Sequence, residues 1–370
     1  MEQFLRQLQT IPEAAELIRR VEEGGCPAAV SGLQPVQRAC VGAAVAAACG
    51  RPAVFLCGDE REVQVLSADL ETLTGRRPVT LLGREWQFRP GAVGSRDWER
   101  SRLAALYALA QGDAPVVVAT ADGLMARTLP PETLRSLAIT LEVGGQAELG
   151  ALAEQLLSAG YTRCEQVEGV GQFALRGGIL DVFSPLMDQP VRCEFFDDEI
   201  DSMGAFDPGT QRRTRNVSSA RILPAAEVLP HCAPGGLPGL ADQLTALAEK
   251  LAKKQKTESI VQTLREDAER LRSGAAPGAA DRYLAAIYPT VTAGVHYLPP
   301  DAVVFLSESG RVDERVKNTV LQQKQDVEAL LSAGVLAGEY AHLTLTAEEL
   351  YAALEDFPVI LEDSLPTSRH

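Results

Sequence analysis

The first residues that suggest chemistry lie between Ala28 and Ala39, where a short apolar run enters a helix through Ser31-Gly32. An α/β nucleotide-binding domain carries its phosphate loop, G-x-x-x-x-G-K-[ST], at such a junction. Its glycines bring backbone N–H groups to phosphate, its lysine neutralises the charge, and its hydroxyl holds Mg²⁺. Here the register reads Gly32-Leu-Gln-Pro-Val-Gln37-Arg38-Ala39. Gln37 replaces the second glycine, Arg38 the lysine and Ala39 the magnesium ligand, and Pro35 removes an N–H donor. The loop is not expected to bind ATP. A second site of the same machine would follow an apolar strand with Asp-Glu-x-His, but Val303–Leu306 runs into Ser307-Glu308-Ser309-Gly310. Ser307 cannot serve as the anionic metal partner. Gly32, Gln37, Arg38, Ala39, Ser307 and Glu308 therefore read as a degenerate nucleotide site. No catalytic residue, metal or cofactor is expected in this chain.

The second informative stretch is Phe173 to Arg213. Alternation along a strand places Val191, Cys193 and Phe195 on one face of Val191–Phe196 and Arg192, Glu194 and Phe196 on the other. The first set reads as core. The second joins an arginine, a carboxylate and a large aromatic on the exposed side, the composition of protein–protein hot spots. Arg176, before the Gly177-Gly178 turn, joins them if its strand neighbours this one. The pattern leaves an interaction surface and a plain sheet edge both open. The acidic run Asp197, Asp198, Glu199 and Asp201 reads as turn chemistry at a hairpin tip rather than as a metal site.

These residues need a scaffold, and the hydrophobic pattern supplies one. Strands at Ala53–Leu56, Val79–Leu82 and Val116–Ala119 alternate with helices over 35–49, 59–74 and 96–111, the signature of a parallel α/β sheet. After Pro130-Pro131 come a strand over 137–143, a helix over 146–160 and closely spaced strands to Arg213, a small antiparallel α+β module. Beyond Ala220, Leu240, Leu244, Leu247 and Leu251 mark one helical stripe, and Leu264, Ala268 and Leu271 another. A buried strand near 301–306, a helix over 312–331, a capping box at Thr346-x-x-Glu349 and a strand at 359–361 complete the chain. The expected domains are 1–130, a degenerate RecA-like α/β half; 131–216, an inserted α+β domain; and 217–370, a half completing the first.

The 370 residues carry a formal charge of −15 and 46% apolar residues, which excludes wholesale disorder and argues against a generic nucleic-acid or anionic-membrane binder. The start shows no signal-peptide pattern, and the small-apolar run Val41–Cys49 is far too short for a membrane span. The seven cysteines are odd in number with no C-x-x-C pair, so buried reduced thiols in a cytoplasmic protein are expected. His231, His296, His342 and His370 read as surface or capping residues.

The motifs R-G-G-I-L-D-V-F (176–183), P-V-R-C-E-F-F-D-D-E-I-D-S (190–202) and F-D-P-G-T-Q-R (206–212) resemble a signature shared by the bacterial transcription-repair coupling factor (Mfd) family and the excision-repair protein UvrB. Asp281–Pro289 and Tyr297–Ala302 are similar to coupling-factor sequence. UvrB keeps a working phosphate loop and a tyrosine-rich DNA-clamping hairpin. Here the loop is eroded, and the segment from Leu82 to Arg96 is short, with Trp86 and Phe88 as its aromatics. The resemblance is thus to the amino-terminal UvrB-homology module, with domain 1A, an inserted domain 2, and domain 1B.

It implies that domain 2 binds UvrA, with Arg176, Arg192 and Phe196 at the matching contact positions and Glu194 beside them. It also implies a parent whose ATP- and Mg²⁺-dependent translocase motors reach DNA, and whose other domains reach RNA polymerase, beyond residue 370. The parent's C-terminal domain would mask domain 2. Phe196→Ala and Arg192→Glu are expected to abolish UvrA binding without unfolding the module. The competing readings are a UvrB-like ATP-dependent DNA-damage-processing enzyme and an autoregulatory structural module.

Overall fold

The computed structural model describes residues 2–90, 97–254 and 258–365. After helices Glu2–Leu8 and Pro12–Glu23, the chain lays down β1 (Ala28–Ser31), β2 (Ala53–Cys57), β3 (Val79–Leu81) and β4 (Val116–Thr120), separated by helices Pro35–Cys49, Glu60–Thr74 and Asp97–Gln111. β5 (Ile139–Glu142) leads to the strands β6 (Thr162–Arg163), β7 (Gln172–Arg176), β8 (Ile179–Val182), β9 (Val191–Phe196), β10 (Glu199–Phe206) and β11 (Arg213–Asn216), and β12 (Ser219–Ile222) leads back. Helices Gly236–Lys253 and Glu258–Arg272 follow, then β13 (Val303–Ser307), helix Ser309–Ser332, helix Ala347–Leu354 and β14 (Val359–Asp363).

The fold is mixed α/β with two main sheets. The parallel sheet has the order β1-β14-β13-β2-β4-β3, so the late strands β13 and β14 slot between β1 and β2. Neither half of the chain holds this sheet alone. Its inner strands β2, β4 and β13 are buried on both sides, and alternation sorts their residues. Phe55, Val118, Phe305 and Ile360 meet helices Pro12–Glu23, Pro35–Cys49 and Glu60–Thr74, while Val54, Leu56, Val117 and Leu306 face the opposite core. Phe55 and Phe305 stack with ring centroids 4.9 Å apart, directly under Gly42. A Cβ at Gly42 would come within 2.4 Å of the Phe55 ring. The small-residue run Val41–Cys49 is thus a helix made narrow enough to lie on two aromatic rings.

The second sheet, in the order β11-β10-β9-β8-β7-β6, is antiparallel except for the β6–β7 pair. It is separated from the parallel sheet, consistent with a UvrB-like α/β domain carrying an insertion. The ribbon of β5 against β12 carries the chain into and out of this unit. Leu141, Ala220 and Ile222 of the ribbon pack into its core, whereas Leu134, on helix Pro131–Leu137, packs into the main core.

Several elements differ from the sequence reading at their ends. A helix, Pro131–Leu137, precedes β5 because Pro131 at its first turn lacks only an N–H that would be unpaired there anyway. The next helix is shorter than expected, Leu149–Ser158, because Glu148 caps it by accepting from the N–H groups of Gly150 and Ala151. Helix Ser309–Ser332 starts three residues early, directly after β13. Arg96 and His370 lie outside the described residues. Both leucine stripes of the helix pair are buried, and the Thr346–Glu349 capping box forms. Among the described residues, no helix is long and apolar enough to cross a membrane.

Candidate protein-interaction face

The nucleotide-site positions come together at the C-terminal edge of the parallel sheet, but they satisfy one another. Arg38, at the lysine position, is almost fully buried. It bonds to the Glu308 carboxylate and lies 3.5 Å from Glu62. Ser307 donates to Glu62 at 2.7 Å. Gln37 is spent on the helix start, where its Oε1 accepts from the Gln34 N–H at 2.8 Å. Gly32 turns the loop at φ 86° and Ala39 is buried under the sheet. The crevice lined by Pro35, Arg38, Glu62, Val65 and Ser307 encloses about 10 Å³, at the lower limit for one water molecule. Burial would raise the Glu308 carboxyl, but the Ser364 hydroxyl and Arg38 hold it below the usual carboxylate range. Those bonds also offset the left-handed φ of 54° at Glu308. The cation a phosphate would need is already neutralised from within.

Beside this network, at the end of β14, Glu362 is completely buried and neither carboxyl oxygen has a hydrogen-bond partner. Burial pushes its carboxyl well above the usual range despite the opposing pull of Arg38. A carboxyl whose pKa is raised by folding favours the folded state at low pH and withdraws that support as pH rises past its unfolded value. Glu362→Gln should therefore match the wild type near pH 4 and exceed it by on the order of 1 kcal/mol at pH 7.5, read from urea midpoints at both pH values.

On the antiparallel sheet, alternation works as the pattern required. Val191 and Cys193 are buried and Phe195 packs against the same core. Burial pushes the Cys193 thiol up to about 12. The opposite face carries Arg192, Glu194 and Phe196, and Phe196 is 81% exposed, the most exposed large apolar side chain among the described residues. The chain reverses after it through Asp197, at φ 57°, and Asp198, so these two form the hairpin tip, while Glu199 and Asp201 already belong to β10. Among the described residues no cluster of His, Cys, Asp or Glu is placed to hold a metal ion.

Arg176 joins this face by a route the sequence did not reveal. Its strand β7 does not border β9, because β8 lies between them. Asp181 of β8, with no exposed surface, sits opposite Arg192 in the ladder and makes the connection. It accepts from Arg192 Nε at 2.7 Å and Nη2 at 2.8 Å, and from Arg176 Nη2 at 2.8 Å. Arg192 also lies 4.6 Å over the Phe206 ring. Asp181 hid in R-G-G-I-L-D-V-F because an acidic residue in an apolar run reads as a surface position until its arginines are located.

Residues 139–227 match the family model described as UvrB interaction domain. All four candidate residues, and Asp181, fall inside that match. This segment is similar to UvrB interaction domains. Across the wider chain, the similarity is to transcription-repair-coupling factors. It is 29% identical over 322 residues to that of Bacillus subtilis, covering 86% of this chain and 27% of the relative. It is 35% identical over 253 residues to that of Myxococcus xanthus, covering 66% and 20%, and 34% over 178 residues to that of Escherichia coli, covering 48% and 15%. The chain spans about a quarter or less of these curated relatives. Together the matches support an N-terminal module of the coupling-factor type.

The matched segment is held against the parallel-sheet unit by buried charge. Glu227, the last matched residue, has no exposed surface. Its carboxylate lies 2.9 Å from Arg102 Nε, accepts from Thr128 at 2.6 Å, and is 3.7 Å from Arg84. Arg84 also bonds to Asp281 at 2.8 Å. Burial alone would raise the Glu227 carboxyl, but Arg102 and Arg84 hold it below its ordinary value. Two outer contacts add to this seam: Arg100 donates to the Pro185 carbonyl at 2.7 Å, and Arg221 to the Tyr107 hydroxyl at 2.6 Å.

The remaining sequence candidates are structural. Lys250 pairs with Glu339 at 3.1 Å on an exposed helix face, and Lys256 lies outside the described residues. His296 caps a turn by accepting from the Ala293 N–H, and His342 sits beside Glu349 at the surface. All seven cysteines are free, but only Cys57 and Cys193 are buried; the other five are partly exposed.

Proposed function

We propose that this chain recruits UvrA to stalled transcription complexes through the exposed face of its UvrB interaction domain, with Arg176, Arg192, Glu194 and Phe196 as the contact residues. The observation that carries the reading is Phe196. An aromatic ring 81% exposed costs solvation unless a partner covers it, and this one shares its strand face with Arg192 and Glu194. In this reading the chain is a non-catalytic, cytoplasmic module. The parent protein supplies ATP-driven translocation on DNA and contact with RNA polymerase through other domains, and its C-terminal domain covers this face until UvrA is needed.

The internal pairing of Arg38 with Glu308 and Glu62 supports a module that does not use nucleotide. We expect no ATP hydrolysis above background by the purified chain, with or without DNA, in a coupled-enzyme assay. DNA-stimulated turnover would favour the UvrB-like enzyme instead. A calorimetric titration with purified UvrA tests the main proposal directly, and absence of heat at micromolar concentrations would overturn it.

A further inference from the structure

The exposed face of β7, β8 and β9 is already balanced in charge. Arg176 and Arg192 are matched by Asp181 and Glu194, and at its margin Glu199 of β10 and Arg213 of β11 add one charge of each sign. Arg192 is committed: Asp181 takes two of its donors in a bidentate fork, Gln211 faces the others at 3.4 Å, and Phe206 stacks beneath. The Asp181 fork holds the Arg192 guanidinium in its charged form. Arg176, half exposed, gives one donor to Asp181 and points the rest outward.

We propose that Asp181 is the positioning residue of this face. It fixes Arg176 and Arg192 on the face that carries Phe196 and, together with Glu194, balances their charge, so that the partner is met through uncharged acceptors, its peptide carbonyls, around an apolar socket. This rests on the reading of the face as the UvrA-binding surface. With Arg192 committed, Arg176, tied to Asp181 through Nη2, is the arginine with N–H groups left for the partner, and a planar guanidinium suits carbonyl oxygens. An acidic patch on the partner would compete with a carboxylate that is already bound at no exposed surface. A free arginine, by contrast, would lose rotamer freedom on binding.

The test is calorimetric titration of UvrA with the whole chain and its variants at low and high salt. For the wild type, affinity should change less than about threefold between ~50 and ~500 mM NaCl, because neither side brings a net charge to the contact. Asp181→Asn should weaken binding about tenfold while the chain stays folded, since both arginines can swing to solvent. In an Arg176→Ala background the same change should cost less than about threefold, because part of what Asp181 does is hold Arg176; a purely structural role would give additive losses. Arg192→Lys, which keeps the charge and loses the fork, should also weaken binding about tenfold and serves if Asp181→Asn does not fold. Wild-type affinity in both variants overturns this inference and leaves the UvrA reading standing. A drop of more than about tenfold at high salt in the wild type overturns the uncharged acceptors. No binding by the wild type overturns both.

Discussion

Phe196→Ala should lower UvrA affinity at least about 30-fold and leave the urea midpoint of the chain unchanged. A buried aromatic anchor at an interface is worth upwards of about 2 kcal/mol on truncation, and its neighbours fall with it because they lose the excluded-water setting it creates. The separation of binding from stability follows from exposure: at 81% exposed, the ring contributes almost nothing to the core it leaves. Calorimetry paired with urea unfolding measures both quantities. Retained affinity, or a midpoint shift as large as that of a core truncation, contradicts the prediction. Arg192→Glu no longer qualifies as an equally clean variant. Its arginine is the bidentate partner of Asp181, which has no exposed surface, so the substitution sets two carboxylates side by side at a partly buried site. We expect it to abolish binding and also to destabilise the chain by about 2–4 kcal/mol. The sequence placed Arg192 on the outer face correctly and missed that the residue is structural as well.

Glu227→Ala should destabilise the chain by about 3–5 kcal/mol, the largest stability effect expected of any single substitution discussed. The reason is what it leaves behind. Arg102 and Arg84 are 2% and 1% exposed at their side chains and would lose their shared carboxylate without access to water. Arg84 keeps Asp281, whereas Arg102 would fall back on the carbonyl oxygens of Leu82 and Gly123. Because the carboxyl is held below its unfolded value, its contribution is present above the unfolded pKa, near 4.5, and is lost as pH falls through the folded value. The gap between wild type and variant should therefore be widest near neutrality and close in acid, with the variant the less stable protein, whereas in Glu362→Gln the variant is the more stable one. Urea titrations across pH 3 to 8 distinguish the two: a gap that stays constant with pH would show that Glu227 acts through packing rather than charge. Since Glu227 sits where the antiparallel-sheet unit rejoins the parallel-sheet unit, its loss should also loosen that seam.

Sequence alone determined what depends on neighbouring residues. Alternation fixed the two faces of Val191–Phe196, Arg38 and Ala39 stood where a phosphate loop would carry lysine and a hydroxyl, and the leucine stripes marked the helix pair. These are local because side-chain direction follows backbone period, and a missing functional group is visible wherever the chain goes. Only the tertiary structure decided which distant charges meet. It showed that β8 separates Arg176 from Arg192 and that Asp181 joins them. It showed that Arg38 closes on Glu62 and on Glu308, 270 positions away, and that Glu227 gathers arginines from the far side of the fold. Buried charges are placed by the residues that must neutralise them, and those partners share a sheet edge or a domain seam rather than a stretch of sequence.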